Sequence, residues 1–163
     1  MIVAIDCGTT NSRVYVVDGK GTVLGRGSRK VGVRDTSITG SRAVLQAGLR
    51  EAFDEALVHA GIGVEQVRCI LSNGMITSEI GLKELPHLEA PVSIDSLAQH
   101  IEEVGDLGVF PAGIPVYFIR GIKNRIVHSG TVGLAEVGYL DFMRGEETQI
   151  AGILQQGLLK PPF

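Results

Sequence analysis

The chain opens on a continuous apolar run, Ile2 to Ile5, which is too short for a helix and suits a strand buried on both faces. Asp6 ends the run, small polar residues follow, and a second apolar run extends from Val14 to Val17. The pattern predicts strand, tight turn, strand. Gly19-Lys20-Gly21 reads as the next turn, and Thr22 to Arg29 as a third antiparallel strand. Residues 32–40 read as a polar, glycine-containing loop. Ser41 is the expected N-cap of a long helix whose Leu45, Leu49, Phe53, Ala56, Leu57 and Ala60 recur at helical spacing, with Gly61 as its stop. Val67 to Ser72 is strand-like again and is expected to return parallel beside the first strand.

Further along, Ser72-Asn73-Gly74-Met75-Ile76-Thr77-Ser78 falls at the C-terminal end of that strand, where open α/β sheets place their ligands. Asn73, Gly74, Met75, Thr77 and Ser78 are therefore candidates for holding a polar substrate. The structural alternative is a strand-to-helix connection, with Thr77 or Ser78 capping a short helix through Leu85. Pro86 to Pro91 reads as a connector with an exposed His87. Asp95 is expected to cap a short helix carrying Leu97, Ala98, Ile101 and Val104 on one face and ending at Gly105. Pro115 to Ile119 is another strand, and Arg120 to Asn124 a basic turn in which Lys123 is either solvated or near an anion. Finally, Ile150, Ile153, Leu154 and Leu158 continue at helical spacing, so a helix opens near Gly145 with Glu146 and Glu147 in its first turn.

Composition narrows the classes. At 163 residues the chain suits one domain with a proper core. A net charge of −3 gives no electrostatic case for nucleic acid. The basic residues between Arg26 and Arg34 are interrupted and carry no interleaved aromatics; they read as a solvated strand end, with Arg34 a candidate for a substrate carboxylate. Cys7 and Cys69 lack metal or redox spacing and read as reduced and structural, although Cys7 lies inside the first turn, where oxidation would touch activity. Neither His59, His100 nor His128 has a partner at ligand spacing. No signal peptide precedes Ile2 and no apolar run reaches membrane length, so a cytoplasmic protein without membrane contact is expected.

The first turn, Asp6-Cys7-Gly8-Thr9-Thr10-Asn11-Ser12-Arg13, carries chemistry. Gly8 lets the backbone approach an anion, hydroxyls and N–H groups donate to phosphate oxygens, and Asp6 offers the oxygen a hydrated magnesium ion prefers. A polar hairpin is the structural alternative. The segment is not a Walker loop, since it leads into a strand and lacks the Gly-Lys-Ser/Thr ending. It resembles the first phosphate motif of the superfamily containing actin, the heat-shock ATPases and the sugar kinases. Meander, helix and parallel return form the ββαβ half of a ribonuclease-H-like fold, so the expected architecture is an α/β lobe with a mixed sheet of about five strands and flanking helices.

Asp141 to Gln149 is the second informative stretch. Acids in a first helical turn suit the helix dipole for structural reasons alone. Functionally, one carboxylate, Glu146 or Glu147, would accept a proton from a substrate hydroxyl, with Arg144 orienting or neutralising an anion. Met143-Arg144-Gly145-Glu146-Glu147-Thr148-Gln149 resembles a segment of the 2-dehydro-3-deoxygalactonokinases. The first turn and the 73–78 segment are similar to that family too, with Cys7 where a tryptophan is frequent. The resemblance implies ATP and Mg2+ as cofactors, Asp6 acting through magnesium, Gly8, Thr9 and Thr10 at phosphate, Asn11 and Arg13 supporting the turn, and a sugar acid as substrate. Family members are about twice this long, and their second half carries another phosphate turn and the adenosine pocket. The chain is therefore expected to be the amino-terminal lobe of a two-lobed kinase, its missing carboxy-terminal lobe a required partner, with apolar Leu158, Leu159 and Phe163 at the end. A non-catalytic sugar-acid or nucleotide binding module, and a kinase of another substrate, are the alternatives.

Overall fold

In the computed structural model, residues 1–124 and 141–158 are described; His128, Leu159 and Phe163 lie outside them. β1 (Ile2–Cys7), β2 (Ser12–Val17) and β3 (Val23–Arg29) form the antiparallel meander the pattern predicts. α2 (Ala43–Ala60) crosses back, and β4 (Cys69–Gly74) returns parallel to β1, register Ile2 to Cys69 through Cys7 to Gly74. β7 (Val116–Phe118) adds a second parallel strand, and β6 (Glu102–Glu103) closes the edge antiparallel. The order β3-β2-β1-β4-β7-β6 is a mixed, ribonuclease-H-like sheet of six strands rather than five. A second small sheet, β5 (Leu88–Glu89), β8 (Ile122–Lys123) and β9 (Phe142–Met143), stands beside it.

The core lies between the meander and α2. Leu45, Leu49, Ala52, Phe53 and Ala56 pack on Val3, Ile5, Val14 and Val16, all at most 2% exposed. Each large side chain buried there contributes about 1.5–3 kcal/mol of transfer free energy. β1 is fully buried on one face only: Val3, Ile5 and Cys7 point into the core, whereas Ala4 and Asp6 are half-buried and Ile2 is exposed. The expected two-sided burial is corrected, because α2 covers one side of the sheet.

Several local expectations change. Residues 32–40 are not a loop: α1 spans Val33–Thr39, with Gly32 N–H donating to Asp35 Oδ2 (2.9 Å). α2 starts at Ala43 with Arg42, not Ser41, in the N-cap position, and the Ser41 hydroxyl accepts from Ala43 N–H. No helix runs to Leu85. Met75–Thr77 makes one short 3-10 turn, after which Leu82 and Leu85 donate back to Ile76 O and Thr77 O. α3 covers Ile94–Gln99, is capped by Ser93 rather than Asp95, and ends at His100. The 120–124 turn holds β8, and Lys123 pairs with Glu89 at 3.4 Å. α4 (Glu146–Gln155) opens at Gly145 as read. Among the described residues no helix is long and apolar enough to cross a membrane.

Candidate functional site

β1 and β4 run parallel and end together, Asp6 opposite Asn73 and Cys7 opposite Gly74. Beyond β1 the chain reverses through residues 8–11, closed by Gly8 N–H to Asn11 O (2.9 Å) and Asn11 Nδ2 to Thr10 Oγ1 (3.0 Å). α1 docks on this turn from outside: Val33 N–H donates to Gly8 O and Arg34 N–H to Thr9 O. The Gly8 and Thr9 carbonyls are thereby occupied. Thr9 and Thr10 N–H groups have no protein acceptor among the described residues, and both side chains are exposed. Such a concavity of outward N–H and hydroxyl donors suits a phosphate.

Gly74 ends β4 at φ 88°, ψ −154°, a conformation nearly confined to glycine, and a Cβ there would meet Cys7 O at 2.5 Å. Gly145, at φ 115°, packs on it; a Cβ on Gly145 would lie 3.3 Å from Gly74 Cα. This backbone contact brings the start of α4 to the end of β1. The result is a cleft of about 360 Å³ lined by Asp6, Gly8 and Thr9 on one side and by Met143, Arg144, Glu146 and Gln149 on the other, with Met75 and Phe142.

The two neighbouring glutamates separate. Glu146 is exposed on the cleft and accepts Arg144 N–H at 3.0 Å. Glu147 is 4% exposed, and both its oxygens lie 2.8 Å from Gly145 N–H. It sits in an apolar groove with Leu97, Ile150 and Leu154, and burial pushes its carboxyl above the ordinary 4.5. Of the two, Glu146 lines the cleft with Asp6 and Glu147 does not.

Asp6 Oδ2 accepts from Arg13 (3.1 Å), so Arg13 steers the carboxylate rather than the turn. Among the described residues no three acid, histidine or cysteine side chains form a cage for a metal ion. A lone carboxylate at an open strand end nevertheless fits magnesium, which keeps most of its waters and takes further oxygens from phosphates.

Of the remaining candidates Met75 and Arg144 line the cleft, and the others do not converge on it. Arg34 is exposed on α1 and is not part of the lining. Asn73 donates to Thr148 Oγ1, tying β4 to α4. Thr77 and Ser78 are buried and their hydroxyls donate to Gly74 O and Met75 O, closing the short turn instead of facing a substrate. The Arg144 guanidinium, read as an anion receptor, donates to Thr77 O (2.8 Å), Thr77 Oγ1 and Leu85 O (3.1 Å). Cys7 is sealed: it is fully buried, and burial raises its thiol to about 11, which leaves little thiolate to oxidise. Sequence reasoning missed Met143, Phe142 and Gln149 as lining residues. It also placed His87 in solvent, whereas the ring is half-buried against Phe142 and Arg144. Gln149 had a legible signal, since it lies one helical turn after Glu146.

Comparison with known proteins identifies the family. The family model for 2-keto-3-deoxy-galactonokinase matches residues 6–161. DgoK1 of Rhizobium meliloti (strain 1021), named a probable 2-dehydro-3-deoxygalactonokinase, is 25% identical over 149 residues, which cover 91% of this chain and 40% of that protein. A crystal structure from Sinorhizobium meliloti, provisionally named a 2-dehydro-3-deoxygalactonokinase, superposes with a TM-score of 0.68 at 22% identity. That match covers 96% of this chain and 43% of the other, and it shows the shared fold. The chain thus spans less than half the length of the relatives it matches.

Proposed function

The chain belongs to the 2-keto-3-deoxy-galactonokinase family, and on that premise we propose that it supplies the amino-terminal lobe of an ATP-dependent kinase that converts 2-dehydro-3-deoxy-D-galactonate to its 6-phosphate. The observation that carries the reading is the single cleft shared by Asp6, Gly8, Thr9 and Glu146. Phosphoryl transfer asks for little covalent chemistry from a protein; it asks for a positioned base and for donors where charge collects.

Thr9 and Thr10 offer N–H and hydroxyl donors to phosphate oxygens, and the Gly8 backbone leaves room for the anion. Asp6, steered by Arg13, would hold a magnesium ion. ATP with magnesium, when bound, supplies the phosphoryl group and neutralises its charge. Glu146 takes the proton of the attacking hydroxyl, a general-base role that Glu147 lacks access to perform. Met75, at the end of β4, frames the sugar-acid side. A second lobe closing on the cleft would complete the nucleotide site and exclude water. ATP chemistry on a small sugar acid fits a cytoplasmic setting.

The test is an ADP-release assay with ATP, magnesium and the sugar acid, run on the full gene product that contains this sequence and on residues 1–163 alone. Turnover in the full product that disappears in Asp6→Ala supports the proposal. A folded full product that turns over neither this sugar acid nor its gluconate epimer would reject it.

A further inference from the structure

We propose that Arg144 is a positioning residue, clamping the 75–88 segment to the turn that presents Glu146. The proposal rests on the reading of Glu146 as the base, and it replaces the role of anion receptor that residue type alone suggests.

Both terminal nitrogens of the guanidinium face protein. One donates to the carbonyl and hydroxyl of Thr77, which is fully buried; the other donates to Leu85 O and lies 3.4 Å from His87 Nδ1. A planar fork is suited to such a set of fixed acceptors, whereas a lysine ammonium on a flexible stem is not. On its own main chain, Arg144 N–H donates to Glu146 Oε2, so one residue holds the carboxylate through its backbone and the opposite segment through its side chain.

The surroundings are built for this contact. Gly121 passes between the two parts: a Cβ there would meet Met143 O at 2.5 Å, Arg144 Cγ at 2.7 Å and His87 Cδ2 at 2.9 Å. Three segments, 75–88, 121–123 and 142–147, are thus in contact around one guanidinium. Burial and the nearby charges of Arg144 and Lys123 push the His87 imidazole below its ordinary 6.5. Its Nδ1 faces Arg144, a group that can only donate, and its Nε2 is buried without a partner among the described residues. Glu84 and Glu147 partly balance the half-buried Arg144 charge. A receptor for a substrate carboxylate would keep its fork free; here both terminal nitrogens are held by Thr77, Leu85 and His87, even though Arg144 also lines the cleft.

The test uses the full gene product, steady-state kinetics and amide hydrogen exchange on Thr77→Val, Thr77→Ser, Arg144→Lys and Arg144→Met. Thr77→Val preserves shape but removes one acceptor from the clamp, and Thr77→Ser restores it. The expected result is a kcat lower by about ten- to a hundred-fold in Thr77→Val and Arg144→Lys, with KM for the sugar acid within about threefold. Thr77→Ser recovers most of the loss. Exchange in 75–88 and 142–147 rises together while β1 and β2 stay protected. A raised KM at unchanged kcat would overturn the proposal and return Arg144 to the substrate. So would unchanged exchange at 142–147 in both Thr77→Val and Arg144→Lys. The exchange data decide the clamp even where Glu146→Gln leaves turnover intact, so failure of the base assignment and failure of the clamp are separable. Should Arg144→Met not fold, the Thr77 pair carries the test.

Discussion

Replacing Glu146 by glutamine isolates the chemistry from the fold. The carboxylate is exposed, lines the cleft and, among the described residues, accepts one hydrogen bond, at 3.0 Å from Arg144 N–H. The amide oxygen of glutamine can accept that bond, so the expected change in stability is within about 0.5 kcal/mol, the range of an ordinary surface substitution. Glutamine cannot accept the hydroxyl proton. Losing a general base costs about 10²–10⁴ in rate, or roughly 3–5 kcal/mol in the barrier at 1.36 kcal/mol per tenfold. Glu147→Gln is the matched control: the substituted amide would still offer one oxygen to Gly145 N–H, now without a charge in the apolar groove. The assay is ADP release by the full gene product, paired with a thermal melt of each variant. The expected pattern is a kcat collapse with an unmoved melt for Glu146→Gln, and kcat within a few-fold of wild type for Glu147→Gln. The reverse pattern, with Glu147→Gln folded but inactive and Glu146→Gln active, would refute the division of roles drawn from burial.

Asp6→Asn should leave the melt nearly unchanged, because its exposed ion pair with Arg13 is worth about 0–1 kcal/mol, while weakening the magnesium dependence of turnover; an identical magnesium titration would remove Asp6 from the metal. Gly74→Ala places a Cβ 2.5 Å from Cys7 O in a glycine-only conformation, and a loss of about 1–3 kcal/mol from backbone strain alone should appear in urea unfolding. Burial raises the Glu147 carboxyl above 4.5 in the folded chain, so its contribution to stability is fully present below pH 4.5 and is lost as pH rises through the folded value. Glu147→Gln should therefore gain stability relative to wild type as pH is raised from about 4 to 8, read as the difference between two urea midpoints; a flat difference would contradict the buried charge.

Much of this architecture is legible in the sequence. The apolar runs at 2–5 and 14–17, the turn at Gly19-Lys20-Gly21 and the helical spacing from Leu45 to Ala60 each correspond to an observed element. What resists reading is held by tertiary contacts. Residues 33–39 lack an apolar stripe, yet form α1 because its first N–H groups find acceptors on the 8–11 turn. Thr77 to Leu85 looks helical by its cap signal, but the carbonyls of Ile76 and Thr77 are taken by Leu82, Leu85 and Arg144. The paired glutamates are distinguishable from sequence. Successive helical residues point about 100° apart; Glu147 shares its face with Ile150, Ala151 and Leu154, and Glu146 with Gln149, as the groove and the cleft record. Acids at a helix start are so readily explained by the dipole that they mask the apolar phase behind them.

The two sides of the cleft are held by different means, and this governs how each responds to change. The phosphate turn is fixed by main chain: β1 pairs with six residues of β2 and with six of β4, and its inward side chains are core. Among the described residues, the segment that carries Glu146 pairs with β8 through Phe142 and Met143 and bonds Asn124 through Asp141. Its placement depends on side chains instead: Asn73 on Thr148, Glu147 on Gly145 N–H, and Arg144 on Thr77 and Leu85. A long ladder is cooperative, so damage there is felt as global instability; a set of side-chain ties can be cut singly, with the rest of the chain folded. On the proposed reading the phosphate end is thus a rigid reference, and the carboxylate end is adjusted to it by these side-chain ties. A kinase base has to meet its hydroxyl within hydrogen-bond reach, so with Glu146 as the proposed base the ties determine whether its carboxylate is in register with that hydroxyl.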